Sequence, residues 1–163
     1  MSTNAVETRL PRNVGPRSDT GHADHGPSIT IATSIRADRY RIFQVLTVAE
    51  YIETWLTLPD QSGDWPLIVT SDPNSFRIDW QCRQKVGLSI AGSFRTFRRS
   101  KLLFTWTKQG MNESGNSLVS IRLHGDFERT KLSLTHSGLG SLVERSWHHE
   151  MWNRSLHKLS HLF

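Results

Sequence analysis

From residue 28 onward the chain is written largely in a period of two. Ile29, Ile31, Thr33 and Ile35 share one face of 28–35, with polar or small residues between them. Such alternation is the spacing of a half-buried strand. It returns at 75–82, where Phe76, Ile78, Trp80 and Cys82 oppose Arg77, Asp79 and Gln81. It returns again at 88–98 (Leu88, Ile90, Phe94), 101–108 (Leu102, Phe104, Trp106), 117–125 (Val119, Ile121, Leu123) and 130–136 (Leu132, Leu134, His136). A short apolar run at 65–69 adds a further strand, and Pro73-Asn74 marks the turn after it. Gly92 falls inside its strand, where glycine marks a bend or bulge.

Two other stretches follow a longer period. Ala37-Asp38 opens a helix in which Asp38 suits the positive end of the dipole and Tyr40, Phe43 and Leu46 form one face. Thr47 is then expected to cap a second short helix through Ile52 and Trp55, with Glu50 completing a capping box. After the break Ser137-Gly138-Leu139-Gly140, apolar residues recur three to four apart: Val143, Trp147, Met151, Trp152, Leu156, Leu159 and Phe163. That pattern predicts an amphipathic helix of about six turns. The expected fold class is α+β: a curved antiparallel sheet of six to seven strands wrapped around a long C-terminal helix, with two short helices after the first strand.

Composition limits the setting. The chain has 163 residues, enough for one domain with a sizeable core. Residues 1–27 hold three prolines, three glycines, Arg9, Arg12 and Arg17, and read as a disordered basic tail ahead of a single domain over 28–163. Cys82 is the only cysteine, so no intrachain disulfide can form, which suits a reducing compartment. No run resembles a signal peptide or approaches the roughly 20 apolar residues of a membrane span. The expectation is a soluble cytoplasmic protein. The net charge of +5 invites a nucleic-acid reading, but the arginines are scattered and no zinc-finger spacing or basic helix is present, so no nucleic-acid partner is expected.

Three stretches carry a resemblance to a known family. They are 35–55 with Phe43, Leu46-Thr47 and Trp55; the strand Lys101-Leu102-Leu103-Phe104-Thr105-Trp106; and 130–138 with Leu132, Leu134, Thr135 and His136, followed by the helix with Trp152 and Leu156. Together they resemble the helix-grip, or START/SRPBCC-type, superfamily. The closest likeness is to the branch named after the activator of the 90-kilodalton heat-shock chaperone's ATPase. Two positions depart from it: Asn74-Ser75 stand where paired glycines are common, and Met151 where glycine often precedes the C-terminal tryptophan. The resemblance implies a cavity between sheet and long helix that holds apolar or aromatic small molecules. The inward aromatics suggest its lining: Phe76, Trp80, Phe94, Trp106, Leu134, His136 and Trp152, with Trp55 near the mouth.

The remaining chemistry is sparse. His136 is a polar group on the inward face, able to hydrogen-bond a ligand or to act as an acid or base. His157 and His161 are four apart with His149 upstream, and read as a solvated polar face rather than a metal site. Gly21-His22-Ala23-Asp24-His25-Gly26 lies in the tail and would hold a metal only weakly. Asp60 with Asp64, and Glu113 with Asp126, fall in loops. No nucleophile elbow, phosphate loop or dinucleotide fingerprint occurs. No cofactor and no metal are expected, and no catalytic residue is assigned. The functional expectation is non-enzymatic binding of a small hydrophobic ligand. The alternatives are a protein-interaction module, pairing with a chaperone-like partner through Arg98 to Lys101 or with itself as a homodimer, and a cyclase- or dehydratase-like enzyme using His136.

Overall fold

The computed structural model describes residues 27–59, 65–82, 85–109 and 116–163. The tail with its His22 and His25, Asp60, Asp64 and Glu113 lie outside the described residues. Ten elements follow in order: β1 (Ser28–Ile35), α1 (Arg39–Thr47), α2 (Ala49–Trp55), β2 (Leu67–Ser71), β3 (Ser75–Cys82), β4 (Lys85–Arg98), β5 (Lys101–Gln109), β6 (Ser117–Gly125), β7 (Thr130–Ser137) and α3 (Leu142–Ser160). The fold is α+β, the helix-grip arrangement of a curved antiparallel sheet with a C-terminal helix.

The strands form one seven-stranded sheet in the order β1-β7-β6-β5-β4-β3-β2. Strands β2 to β7 are a meander of neighbours, and β1 closes the far edge by pairing Ile31 with Leu134. Curvature has a local cause. The β4–β5 register shifts between Phe94 and Thr96, and that of β3–β4 between Trp80 and Gln81. Beside the first bulge stands Gly92, where an added Cβ would run into the Thr105 carbonyl and the Phe76 ring. Only glycine lets the strands approach so closely there.

The long helix buries Met151, Trp152, Leu156 and Leu159 to 2 % exposure or less against the sheet. Each such side chain contributes about 1.5–3 kcal/mol of burial as an upper bound. Ser141 caps the helix by accepting from the Glu144 amide at 3.1 Å, and Glu144 reaches back to the Gly140 amide at 3.2 Å. The helix includes Val143, but its buried face is shorter than the apolar pattern predicts: Val143 is 78 % exposed, and full burial begins only at His148. Glu150 and Arg154 pair on its outer face at 2.7 Å, and His157 and His161 lie exposed there too.

The short helices correct two expectations. Asp38 caps α1, accepting from Tyr40 and Arg41 amides, but the buried stripe is Ile42 and Leu46, while Tyr40 faces solvent beneath Arg99. Thr47 does not cap α2. Its hydroxyl donates back to the Phe43 carbonyl at 2.7 Å, and Val48 occupies the N-cap with no side-chain bond.

Candidate ligand-binding site

An apolar cavity lies between the sheet and the helices. Its floor comes from β3, β4, β5 and β6 through Phe76, Ile78, Phe94, Phe104, Trp106 and Ile121. Trp152 of α3 forms a wall, and Leu46, Ile52, Trp55 and Leu56 of the α1–α2 segment form the roof. The rings brace one another: Phe76 meets Phe94 and Phe104 at 5.4 Å, and Trp106 meets Trp152 at 5.0 Å. The open space is about 50 Å³. That is well below the roughly 150 Å³ at which an apolar protein cavity takes up benzene. Two of the wall tryptophans have their indole N–H engaged, Trp55 donating to the Val45 carbonyl at 2.9 Å and Trp152 to His136 Nδ1 at 3.1 Å.

Behind Trp152 runs a chain of hydrogen bonds. Ser117 Oγ donates to the Trp106 carbonyl at 2.7 Å. Its single proton being used there, the hydroxyl must accept the 2.7 Å bond from His136 Nε2. Nδ1 is then the bare nitrogen that accepts from Trp152, so His136 is the neutral Nε2–H tautomer. Burial first, and the neighbouring His148 second, press its pKa down to about 2. The ring therefore stays uncharged at neutral pH, and both nitrogens are taken. His148 packs edge-on against it with ring centres 4.7 Å apart.

The comparisons with known proteins fit this architecture. The family described as Activator of Hsp90 ATPase homolog 1-like protein matches residues 36–163. The chain belongs to this family. Among solved structures, protein CV1439 of Chromobacterium violaceum is 14 % identical, with 83 % of this chain and 96 % of that one covered and a TM-score of 0.69. The Aha1 dimer of Colwellia psychrerythraea is 19 % identical over 82 % and 93 % of the chains, with a TM-score of 0.61. DynU16, a putative protein in the dynemicin biosynthetic locus, is 20 % identical over 82 % of this chain and 46 % of that one, with a TM-score of 0.63. At these identities the likeness is one of fold. No curated protein matches the chain.

Within this helix-grip family frame, five of the residues expected at the site meet in the cavity: Trp55, Phe76, Phe94, Trp106 and Trp152. Trp80, Leu134 and His136 do not line it. All three are fully buried on the correct face of the sheet, Trp80 toward the far end of β3 and Leu134 between β1 and β6. Parity along a strand names a face but not the position where a helix leaves room above it. Phe104 and Ile121 share parity with expected residues and could have been added on that ground. Ser117 carried a signal too, as a polar residue in phase with Val119 and Ile121. His148 lies one helical turn before Trp152, so its burial was also readable. Met151, which departs from the family's frequent glycine, is completely buried but does not reach the cavity.

Proposed function

We propose that the protein binds a small apolar or aromatic ligand, without catalysis, in the cavity between the sheet and α3. The observation that carries this reading is a continuous aromatic wall of Trp55, Phe76, Phe94, Trp106 and Trp152 around residual space, roofed by the short α1–α2 segment. Such lining suits apolar ligands. At about 50 Å³ the space accepts a ring only if the roof lifts, so binding and displacement of α1–α2 go together. A reading in which His136 serves as acid or base is less well supported, since neither ring nitrogen is free. The same proposal places the domain at 28–163, with 1–27 as a tail, in the cytoplasm. Among the described residues no helix is long and apolar enough to cross a membrane.

Native mass spectrometry tests this reading. Purified protein is expected to carry, or to take up from an added fatty acid or aromatic dye, a stoichiometric mass that is lost on denaturation. Tryptophan fluorescence should be quenched in parallel. A bare mass and unchanged fluorescence across such ligands would overturn it.

A second reading, a protein-interaction module, is favoured by one surface. Phe97 is 51 % exposed at the end of β4, packed on Phe43, with Arg98 and Arg99 beside it and Arg99 over Tyr40. Aromatic and arginine side chains together are typical of binding hot spots. The family's description and the dimer of the Colwellia relative are consistent with a chaperone or a second copy as partner. Reversing charge at Arg98, Arg99 and Lys101 should abolish recovery of such a partner; equal recovery by the variant removes this reading.

A further inference from the structure

By spacing alone His157 and His161 read as part of a solvated helix face. Their geometry in the fold goes further. The two rings meet on the exposed side of the last turn of α3, with centres 4.3 Å apart and planes tilted by 57°. Two imidazoles bound to one metal ion at about 2.0–2.1 Å have ring centres about 4.5 Å apart in a square plane or octahedron, and about 5.2 Å apart in a tetrahedron. The pair already stands close to the first of these spacings.

The lone pairs are available as well. His161 Nδ1 lies 2.8 Å from the His157 backbone carbonyl. A carbonyl oxygen only accepts, so Nδ1 carries the proton and Nε2 is the bare nitrogen. Metal-binding histidines are typically oriented by a bond of this kind, from the second ring nitrogen to a backbone carbonyl. The Ser160 hydroxyl spends its own proton on the same carbonyl at 2.7 Å, so it does not compete for Nδ1. The His157 imidazole makes no hydrogen bond among the described residues, so either of its nitrogens can serve as a ligand. Both side chains are exposed, and water can fill the remaining coordination positions.

The electrostatic setting is mixed. The pair sits at the C-terminal, negative end of the α3 dipole, with His161 as the C-cap. Arg154, one turn before His157, is offset by Glu150 at 2.7 Å. The Lys158 ammonium, next in sequence, works against a cation and limits the affinity. The donor set then selects the ion. Among the described residues no third histidine, cysteine or carboxylate joins the pair. Two imidazoles with water suit the nitrogen-seeking ions, copper(II) ahead of nickel(II) and zinc. Calcium and magnesium need oxygen ligands that this face does not supply.

We propose that His157 and His161 form a chelating site for a divalent transition-metal ion, copper(II) in preference to nickel(II) or zinc, and that the ion staples the last turn of α3. That turn carries Leu159, fully buried against the sheet. Its continuation ends at Phe163, which lies beneath the Arg41 guanidinium of α1. Metal at the outer face therefore stiffens the end of the helix that grips the sheet. This site is separate from the apolar cavity and stands whether or not that cavity takes a ligand.

Isothermal titration calorimetry of the full chain with copper(II), nickel(II), zinc and magnesium chlorides tests it. The wild type should bind copper(II) about tenfold or more tighter than His157→Ala or His161→Ala, because each variant loses one arm of the chelate. Nickel(II) and zinc should bind more weakly, and magnesium should not bind. The tail holds two further histidines, so the double variant His22→Ala/His25→Ala serves as the control and should keep the site. In that control, electron paramagnetic resonance of the copper form should show two equatorial imidazole nitrogens. Both α3 positions are exposed, so their variants should fold, and the spectrum of the control decides the ligand set without them. Saturating zinc should raise the Tm of the wild type and leave that of either α3 variant unchanged. Equal copper(II) affinity in the wild type and the α3 variants would overturn the site, as would loss of binding in the tail variant or equal binding of magnesium. Chelation without a rise in Tm would overturn the stapling of the helix end.

Discussion

His136 shows how a polar residue can be fully buried, uncharged and still ordered. Its two nitrogens are held by groups of opposite kind, the Trp152 indole N–H on one side and the Ser117 oxygen on the other. The fold keeps its pKa near 2 against an ordinary 6.5. The unfolded chain therefore binds the extra proton at any pH between those values, and stability falls as pH falls below 6.5. The slope from this one ring is about 1.4 kcal/mol per pH unit, and His148 adds to it in the same direction. Urea unfolding at pH 7.5 and pH 5 checks this: His136→Gln, which keeps one acceptor and one donor, should lose markedly less stability over that interval than the wild type. Parallel losses in the two proteins would mean that His136 is charged in the fold. His136→Phe is a harsher change, because it orphans the Trp152 indole and frees Ser117 of its donor. About 1–3 kcal/mol for each unpaired buried group is expected at pH 7.5.

At the scale of elements, the two helix starts give opposite lessons about capping. Ser141 caps α3 through the Glu144 amide, and Ser141→Ala should cost about 1 kcal/mol in chemical denaturation. The N-cap of α2 is Val48, with φ −89° and ψ 126°, already the extended geometry an N-cap needs. Its side chain is 37 % exposed, so little burial is lost by replacing it. Val48→Asp should therefore raise stability by about 1 kcal/mol; a fall would mean that the α1–α2 corner depends on the valine contact. The sequence pointed to Thr47 for this role because Thr-x-x-Glu is a capping-box spacing. It could not reveal that the Thr47 hydroxyl is already spent on the Phe43 carbonyl, since either partner is local and only the angle between α1 and α2 decides. The strands were far more legible. Alternation over eight or more residues admits one register of burial, and 75–82 and 117–125 are found as read. Helix α1 was less so: residues 40, 43 and 46 drift around the axis, and of them only Leu46 is buried, with Ile42 beside it in place of Tyr40 and Phe43. Likewise Val143 and Leu142 continue the apolar pattern of α3 but extend past the sheet they would cover.

For the whole molecule the decisive quantity is volume, which no residue pattern states. Aromatics at Phe76, Phe94, Trp106 and Trp152 announce a ring-lined interior, yet a few ångströms of helix placement separate a filled core from a ligand site. Here the remainder is about 50 Å³. Leu46 belongs to the roof and is 6 % exposed, so it closes the space from above without touching the hydrogen-bonded relay. Leu46→Ala should lower stability by about 2–5 kcal/mol, as large-to-small core changes do. It should also bring the cavity toward the size that takes up benzene. Thermal unfolding with and without saturating benzene tests the consequence. A ligand at about 100 times its dissociation constant adds about 2.7 kcal/mol to the folded state, so benzene should raise the Tm of Leu46→Ala by several degrees and that of the wild type by less. Equal shifts would show that the α1–α2 roof already opens at little cost, making it a lid rather than a fixed wall. No shift in either protein would show that the space left by Leu46 is refilled by its neighbours. The aromatic interior would then be a packed core, and the exposed Phe97 surface would become the place to look for function.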